Sequence, residues 1–172
     1  MMDVFEATRV RRSIRRYRRE SIFDDKLEMI FVAARQAPSA DNRQPWHFIV
    51  VRDPNRKRAL AKEANNQAFL GGAAAIVAAV GDPEVSAKWH EEDTMIALEH
   101  MVLAATALGY GTCWIGAFDE NAVKQLLKIP AQMRVVALLP TGVPNEAPAP
   151  RQGKEIGEIF FNEEWQDPWG PH

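Results

Sequence analysis

Cysteine is almost missing from this 172-residue chain: Cys113 stands alone, so no intramolecular disulfide can form. A lone thiol suits a reducing compartment. Long apolar runs are missing too, which predicts a chain that does not cross a bilayer. Neither sign of charge is in large excess. The formal net charge is -2, so the molecule as a whole has no electrostatic reason to seek nucleic acid or an anionic membrane. The opening MMDVFEATRV carries Asp3 and Glu6 before any basic residue and has no apolar h-region, which predicts no secretory signal. The same acids disfavour a mitochondrial leader. Together these features predict a soluble, cytoplasmic protein. With 47% hydrophobic and 26% charged residues, the composition is that of a folded chain, and the length suits one domain over residues 1–172.

Familiar catalytic signatures are absent as well. His90-Glu91 does not continue to H-E-x-x-H, because Thr94 occupies the required position, and His47, His90, His100 and His172 show no metal-ligand spacing. Ser39 lies outside any G-x-S-x-G element. GYGTCWIG has the wrong spacing for G-x-G-x-x-G and follows a helix rather than a strand, which excludes a Rossmann loop.

The elements that are present alternate irregularly. A short helix is expected over residues 3–10. A second, with Asp24 or Asp25 as its cap, carries Leu27, Ile30, Phe31 and Ala34 at helical spacing, and Pro38 stops it. WHFIVV reads as a buried strand. Asp53-Pro54 then pairs an N-cap with proline at the first helical position. AAIVAAVG reads as a central strand, with helix as the competing reading. A long helix from Glu92 to Leu108 is apolar almost all round, so it lies deep in the chain or at a subunit interface. Gly109 ends it. Asp119 caps a further helix that Pro130 stops, and RVVALLPTG is the last strand. The order predicts a sheet covered by helices, without a regular doubly wound pattern. Residues 144–172 form a proline- and charge-rich extension holding Phe160, Phe161, Trp165 and Trp169. This extension either packs on its own domain or wraps a partner subunit.

Arg9, Arg11, Arg12, Arg15, Arg16, Arg18 and Arg19 crowd one segment near the start. A solvated basic face, a nucleic-acid contact and a phosphate site are the three readings. No aromatic interleaving or known module supports the second. Guanidinium groups grip phosphate in a bidentate way and keep their charge, and Ser13 adds a hydroxyl. In PSADNRQP, Asn42 and Gln44 offer paired donors and acceptors suited to the edge of a planar heterocycle, with Ser39 as another donor; Asx-type turn bonds are the alternative. Gly116 would allow close approach of a ligand to backbone.

In order, RRSIRRY, APSADNRQPWHF, ALEHMVLAATALGYGTCWIG, LLPTGVP and APAPR resemble the FMN-dependent nitroreductase family from about Phe5 to about Lys154. The resemblance implies an α+β sandwich, a helix-flanked and mainly antiparallel sheet, in an obligate homodimer with two interfacial FMN sites. It implies that Arg11, Arg12 and Ser13 hold the phosphate and ribityl chain, that Arg15 lies near the flavin ring, and that Arg151 contacts the phosphate. Pro38, Ser39, Ala40 and Asn42 of the other subunit would line the ring, with Gln44 close by. Trp114, Ile115 and Gly116 would lie beside its reactive face. The implied activity is ping-pong reduction of a nitroaromatic, quinone or similar small acceptor by NADH or NADPH, the flavin performing the chemistry with no essential acid–base side chain. The family also holds dehalogenases, flavin-cleaving enzymes and biosynthetic dehydrogenases, and a flavin-binding protein without turnover is a further alternative. Little room remains for a lid between Gly72 and Glu92. Trp89 and His90 are candidates for substrate contact, and Asn65, Asn66 and Gln67 for FMN contact. Arg16, Arg18 and Arg19 are expected to be structural or solvated.

Overall fold

The computed structural model describes residues 2–170, so His172 and the end of the 144–172 extension lie outside the described residues. Helix α1 (Val4–Val10) begins at Asp3, whose side chain accepts from the Glu6 N–H. Helix α2 (Asp24–Arg35) follows, then a 3-10 turn over Ala40–Asn42 and strand β1 (Trp46–Val51). Next come α3 (Pro54–Glu63), a 3-10 turn over Ala68–Gly72, β2 (Ala75–Gly81) and α4 (His90–Ala107). A two-residue strand β3 (Gly111–Thr112), α5 (Glu120–Leu127) and β4 (Arg134–Gly142) complete the core.

The four strands form one antiparallel sheet in the order β1-β2-β4-β3. Alternation along β2 divides the core. Ile76, Ala78 and Val80 face the layer of α3 and α5, packing with Leu60, Val123 and Leu138. Val77 and Ala79 face α2 and α4, packing with Ile30, Leu98, Met101 and Leu139. All seven β2 residues are buried because β2 is interior and covered on both faces, which settles the strand-or-helix ambiguity. β1 differs from expectation. It is an edge strand, only half-buried, with His47 turned outward. A register shift opposite Ala79/Val80 skips Val136 and turns Val135 to the α3/α5 face.

Several local signals are realised. Asp53 and Asp119 cap α3 and α5 through bonds to the Arg56 and Ala122 N–H groups at 2.8 and 3.0 Å. Gly109 leaves α4 at φ +84°. Helix α2 is the exception: Phe23 occupies its N-cap, and Asp24 and Asp25 sit inside the first turn. There they complement the helix dipole rather than cap it, and Asp24 reaches Arg52 at 2.7 Å. Helix α4 buries Leu98, Met101, Val102 and Ala105 but leaves Met95 and Ile96 exposed. Its Leu103, Ala104 and Ala107 line an apolar groove with Val4 and Ala7 of α1. In the extension, Phe161 stacks on Trp165 at 4.7 Å, while Phe160, Trp165 and Trp169 remain exposed.

Candidate functional site

The arginine segment is an ordered arm laid along the end of the sheet. Arg11 ends α1, its N–H donating to the Ala7 carbonyl. Ser13 then forms a parallel bridge with Thr112, and the Ile14 N–H donates to the Thr112 carbonyl at 2.8 Å. Ile14 presses on β3 so closely that a Cβ on Gly111 would lie 2.5 Å from it. Tyr17 pins the far end. Its hydroxyl lies 2.7 Å from the Ile14 carbonyl and 3.2 Å from that of Pro140. Burial, aided by Cys113 and Glu146 and opposed by Arg15, pushes the Tyr17 hydroxyl far up, so it stays protonated.

This arm forms one wall of a cavity of about 420 Å³ lined by Arg11, Arg12, Ser13, Arg15, Glu146, Pro148, Ala149 and Arg151. Residues from opposite ends of the chain thus meet: the four expected arm residues and the late Arg151. Four guanidinium groups face one carboxylate there. Among the described residues, Arg11, Arg12, Arg15 and Arg151 enter no ion pair, whereas Arg16 and Arg18 lie 3.9 Å from Glu146 and Glu20 respectively. Arg12 Nη1 donates to the Arg9 and Arg11 carbonyls at 2.9 and 2.7 Å, while its Nε is buried with no partner among the described residues. Beneath the arm, burial pushes the Cys113 thiol up against the opposing pull of Arg15, Ser13 and Arg11. That thiol stays protonated and inert.

The PSADNRQP loop lies elsewhere: none of Pro38, Ser39, Ala40, Asn42 and Gln44 lines the arginine cavity of the same chain. Asp41, Asn42 and Gln44 adopt left-handed backbone at φ 51°, 54° and 52°. Ser39 Oγ accepts from the Gln44 N–H at 2.9 Å, and the Gln44 side chain donates to Asn42 Oδ1 at 3.1 Å. The buried carboxylate of Asp93, on α4, accepts from the Ala40 N–H at 3.2 Å. The loop therefore presents an ordered polar surface, with Asn42 and Gln44 exposed.

The third segment is shaped by α4. The Trp114 indole donates to Glu99 Oε2 at 2.9 Å. The Ile115 side chain is buried in the α3/α5 core, and its N–H and C=O both bond Leu138 at 3.0 Å. Only Gly116 is open, with nothing within 4 Å of an added Cβ. Asn65, left-handed at φ 53°, donates to the Ala117 carbonyl at 3.5 Å and so stands beside this opening. His90 is half-buried against Gly81 with Nδ1 2.9 Å from the Ser86 carbonyl. Trp89 is 41% exposed with the Lys88 ammonium 4.3 Å from its ring centroid. Glu146, Asp93 and Glu99 escaped the sequence reading. Each acts on a segment at least 15 residues away, and only the lone acid between GVP and APAPR was a hint.

An antiparallel sheet between helical layers, with an arginine-lined cavity in place of a nucleotide-binding crossover, defines a class of protein. The profile of the Nitroreductase family matches residues 8–68 and 57–143, and the chain belongs to that family of oxidoreductase enzymes. It is 35% identical over 153 residues to an Archaeoglobus fulgidus protein whose name proposes NADH dehydrogenase or NAD(P)H nitroreductase activity, covering 85% of this chain and 88% of the other. Among solved structures, a nitroreductase family protein from Clostridium novyi superposes with a TM-score of 0.80 at 38% identity, over 98% of this chain and 97% of that one. An FMN-dependent nitroreductase from Clostridium difficile does so with a TM-score of 0.84 at 27% identity, over 92% and 98%.

Proposed function

We propose that the chain is an FMN-dependent oxidoreductase that uses NADH or NADPH to reduce nitroaromatic, quinone or similar small acceptors in two successive half-reactions. The observation that carries this reading is the cavity where four guanidinium groups meet, none in an ion pair among the described residues, together with the buried Arg12 Nε that has no partner among them. These donors fit a phosphate, which offers several acceptor oxygens to forked N–H groups. Arg11, Arg12, Ser13 and Arg151 would hold it. Arg15, on the same wall, would stabilise negative charge arising on the flavin ring. Bound FMN would supply the redox chemistry, taking a hydride from the nicotinamide and delivering electrons to the acceptor.

Pro38, Ser39, Ala40, Asn42 and Gln44 lie off the arginine cavity of their own chain, and in our reading a second copy supplies them to the flavin ring. The exposed Met95 and Ile96 and the neighbouring apolar groove support a homodimer, since apolar surface of this kind is costly in water. Within the 144–172 extension, Asn145 and Glu146 are bonded to the arm of their own chain, and we assign the stretch carrying Phe160, Trp165 and Trp169 to contact with the partner subunit, because these three rings are exposed. Trp114 and Gly116 would flank the ring. Ile115 would contribute only as a buried anchor, because both its backbone groups are already bonded. Residues 73–91 contain β2 and a turn in which Asp82 accepts from the Glu84 and Val85 N–H groups. The absence of a long insertion there favours a general reductase over a specialist with a substrate lid. The buried Cys113 thiol is suited to a cytoplasmic setting.

The test is the visible spectrum of the purified protein before and after anaerobic addition of NADPH or NADH. A flavin band that bleaches with either reductant and returns with a quinone or nitroaromatic is the expected result. A protein that neither carries nor takes up FMN overturns the reading.

A further inference from the structure

Glu146 is a carboxylate on the wall of a cavity otherwise ringed by guanidinium groups. In an anion site its charge opposes the ligand. Its oxygens, however, are committed elsewhere. Oε1 accepts from the backbone N–H groups of both Arg15 and Arg16, the second at 3.0 Å, and Oε2 lies 3.9 Å from the Arg16 guanidinium. Two successive backbone donors therefore converge on one oxygen from a residue about 130 positions away. The adjoining backbone is tied the same way: the Asn145 N–H donates to the Arg16 carbonyl and the Arg18 N–H to the Val143 carbonyl, both at 2.9 Å. Without the Glu146 carboxylate the Arg15 and Arg16 N–H groups would turn to solvent, and only the bonds of Ile14, the Arg16 carbonyl, Tyr17 and Arg18 would still hold the arm around Arg15.

We propose that Glu146 is a positioning residue for the anionic end of the cofactor. It clamps the Arg15 and Arg16 N–H groups and so holds the arginine arm in its cavity-lining conformation. Anion binding then depends on a carboxylate whose charge opposes the anion. The inference rests on the FMN reading above and runs against simple electrostatics, under which deleting a negative charge from an anion site tightens binding.

The experiment titrates FMN into the full-length protein stripped of flavin, as wild type, Glu146→Ala and Glu146→Gln, with amide hydrogen exchange measured on the flavin-free forms. Glu146→Ala is expected to bind FMN at least about tenfold more weakly and to lose protection at the Arg15 and Arg16 amides, in line with loss of charge-assisted bonds. Glu146→Gln keeps a side-chain oxygen in place and is expected to restore affinity to within about threefold of wild type. FMN binding by Glu146→Ala as tight as wild type or tighter overturns the proposal, as does unchanged protection of the two amides. If even the wild type fails to bind FMN, the cofactor reading falls and the positioning role in FMN binding falls with it. Intact wild-type binding with unweakened Glu146→Ala refutes the positioning role alone.

Discussion

Arg12→Ala separates an anion-binding role from a structural one. The side chain makes two bonds to carbonyls of its own segment, at 2.9 and 2.7 Å, and carries a buried Nε with no partner among the described residues. The Arg9 and Arg11 carbonyls lie on a partly exposed segment, where water can replace the lost donors, so the flavin-free protein is expected to change by no more than about 1 kcal/mol. Removing one of four clustered positive charges also relieves repulsion, which pulls the change toward zero. The bound state behaves differently. A charge-assisted bond to phosphate contributes about 1.5–3 kcal/mol, so FMN affinity is expected to fall by roughly 10- to 150-fold. Arg12→Lys retains the charge but not the planar fork and is expected to fall between the two. Arg18→Ala, on a surface pair with Glu20, serves as the control and is expected to leave affinity unchanged. Quenching of FMN fluorescence measures the affinity, and chemical denaturation of the flavin-free protein measures stability. FMN affinity within twofold of wild type, or a stability loss in the flavin-free protein above about 2 kcal/mol, would refute the argument.

Tyr17→Phe removes the hydroxyl that faces both the Ile14 and Pro140 carbonyls, and is expected to cost about 1–3 kcal/mol in denaturant titration and to weaken FMN binding by loosening the arm. Gly111→Ala forces a Cβ to within 2.5 Å of Ile14, and a loss of about 1–3 kcal/mol is expected; unchanged stability would mean that the arm yields freely. Glu120 feels a burial penalty that is outweighed by its bond to Lys124, the Val135 N–H at 3.0 Å and the charge of Arg134, so its folded carboxyl lies below the ordinary value of 4.5. Its stabilising contribution is therefore complete above about pH 4.5 and disappears as pH falls through the folded value. Denaturation curves measured at several pH values should show a steeper acid loss in wild type than in Glu120→Gln.

Much of this protein is legible in the sequence because the relevant signals are local. Asp53-Pro54, Asp119 and Gly109 mark helix ends through bonds and torsions that span no more than four residues. WHFIVV and RVVALLPTG matched their strands residue for residue, since six and nine consecutive residues of that composition fit little else. The arginine arm stands out by its chemistry and Arg151 only through the resemblance; the fold brings both to one cavity. Tertiary structure decided what depends on pairing across long separations. It placed β1 at the sheet edge and so half in water, and it turned Val135 to the other face by skipping one residue. The division of the arginines is already expected from the sequence; tertiary structure supplied its partners, with carboxylates within reach of Arg16 and Arg18 and a shared cavity for Arg11, Arg12, Arg15 and Arg151. Glu146, Asp93 and Glu99 became visible only in the folded chain. A carboxylate's partner is set by where the backbone brings two distant segments together, and composition and periodicity carry no information about that meeting.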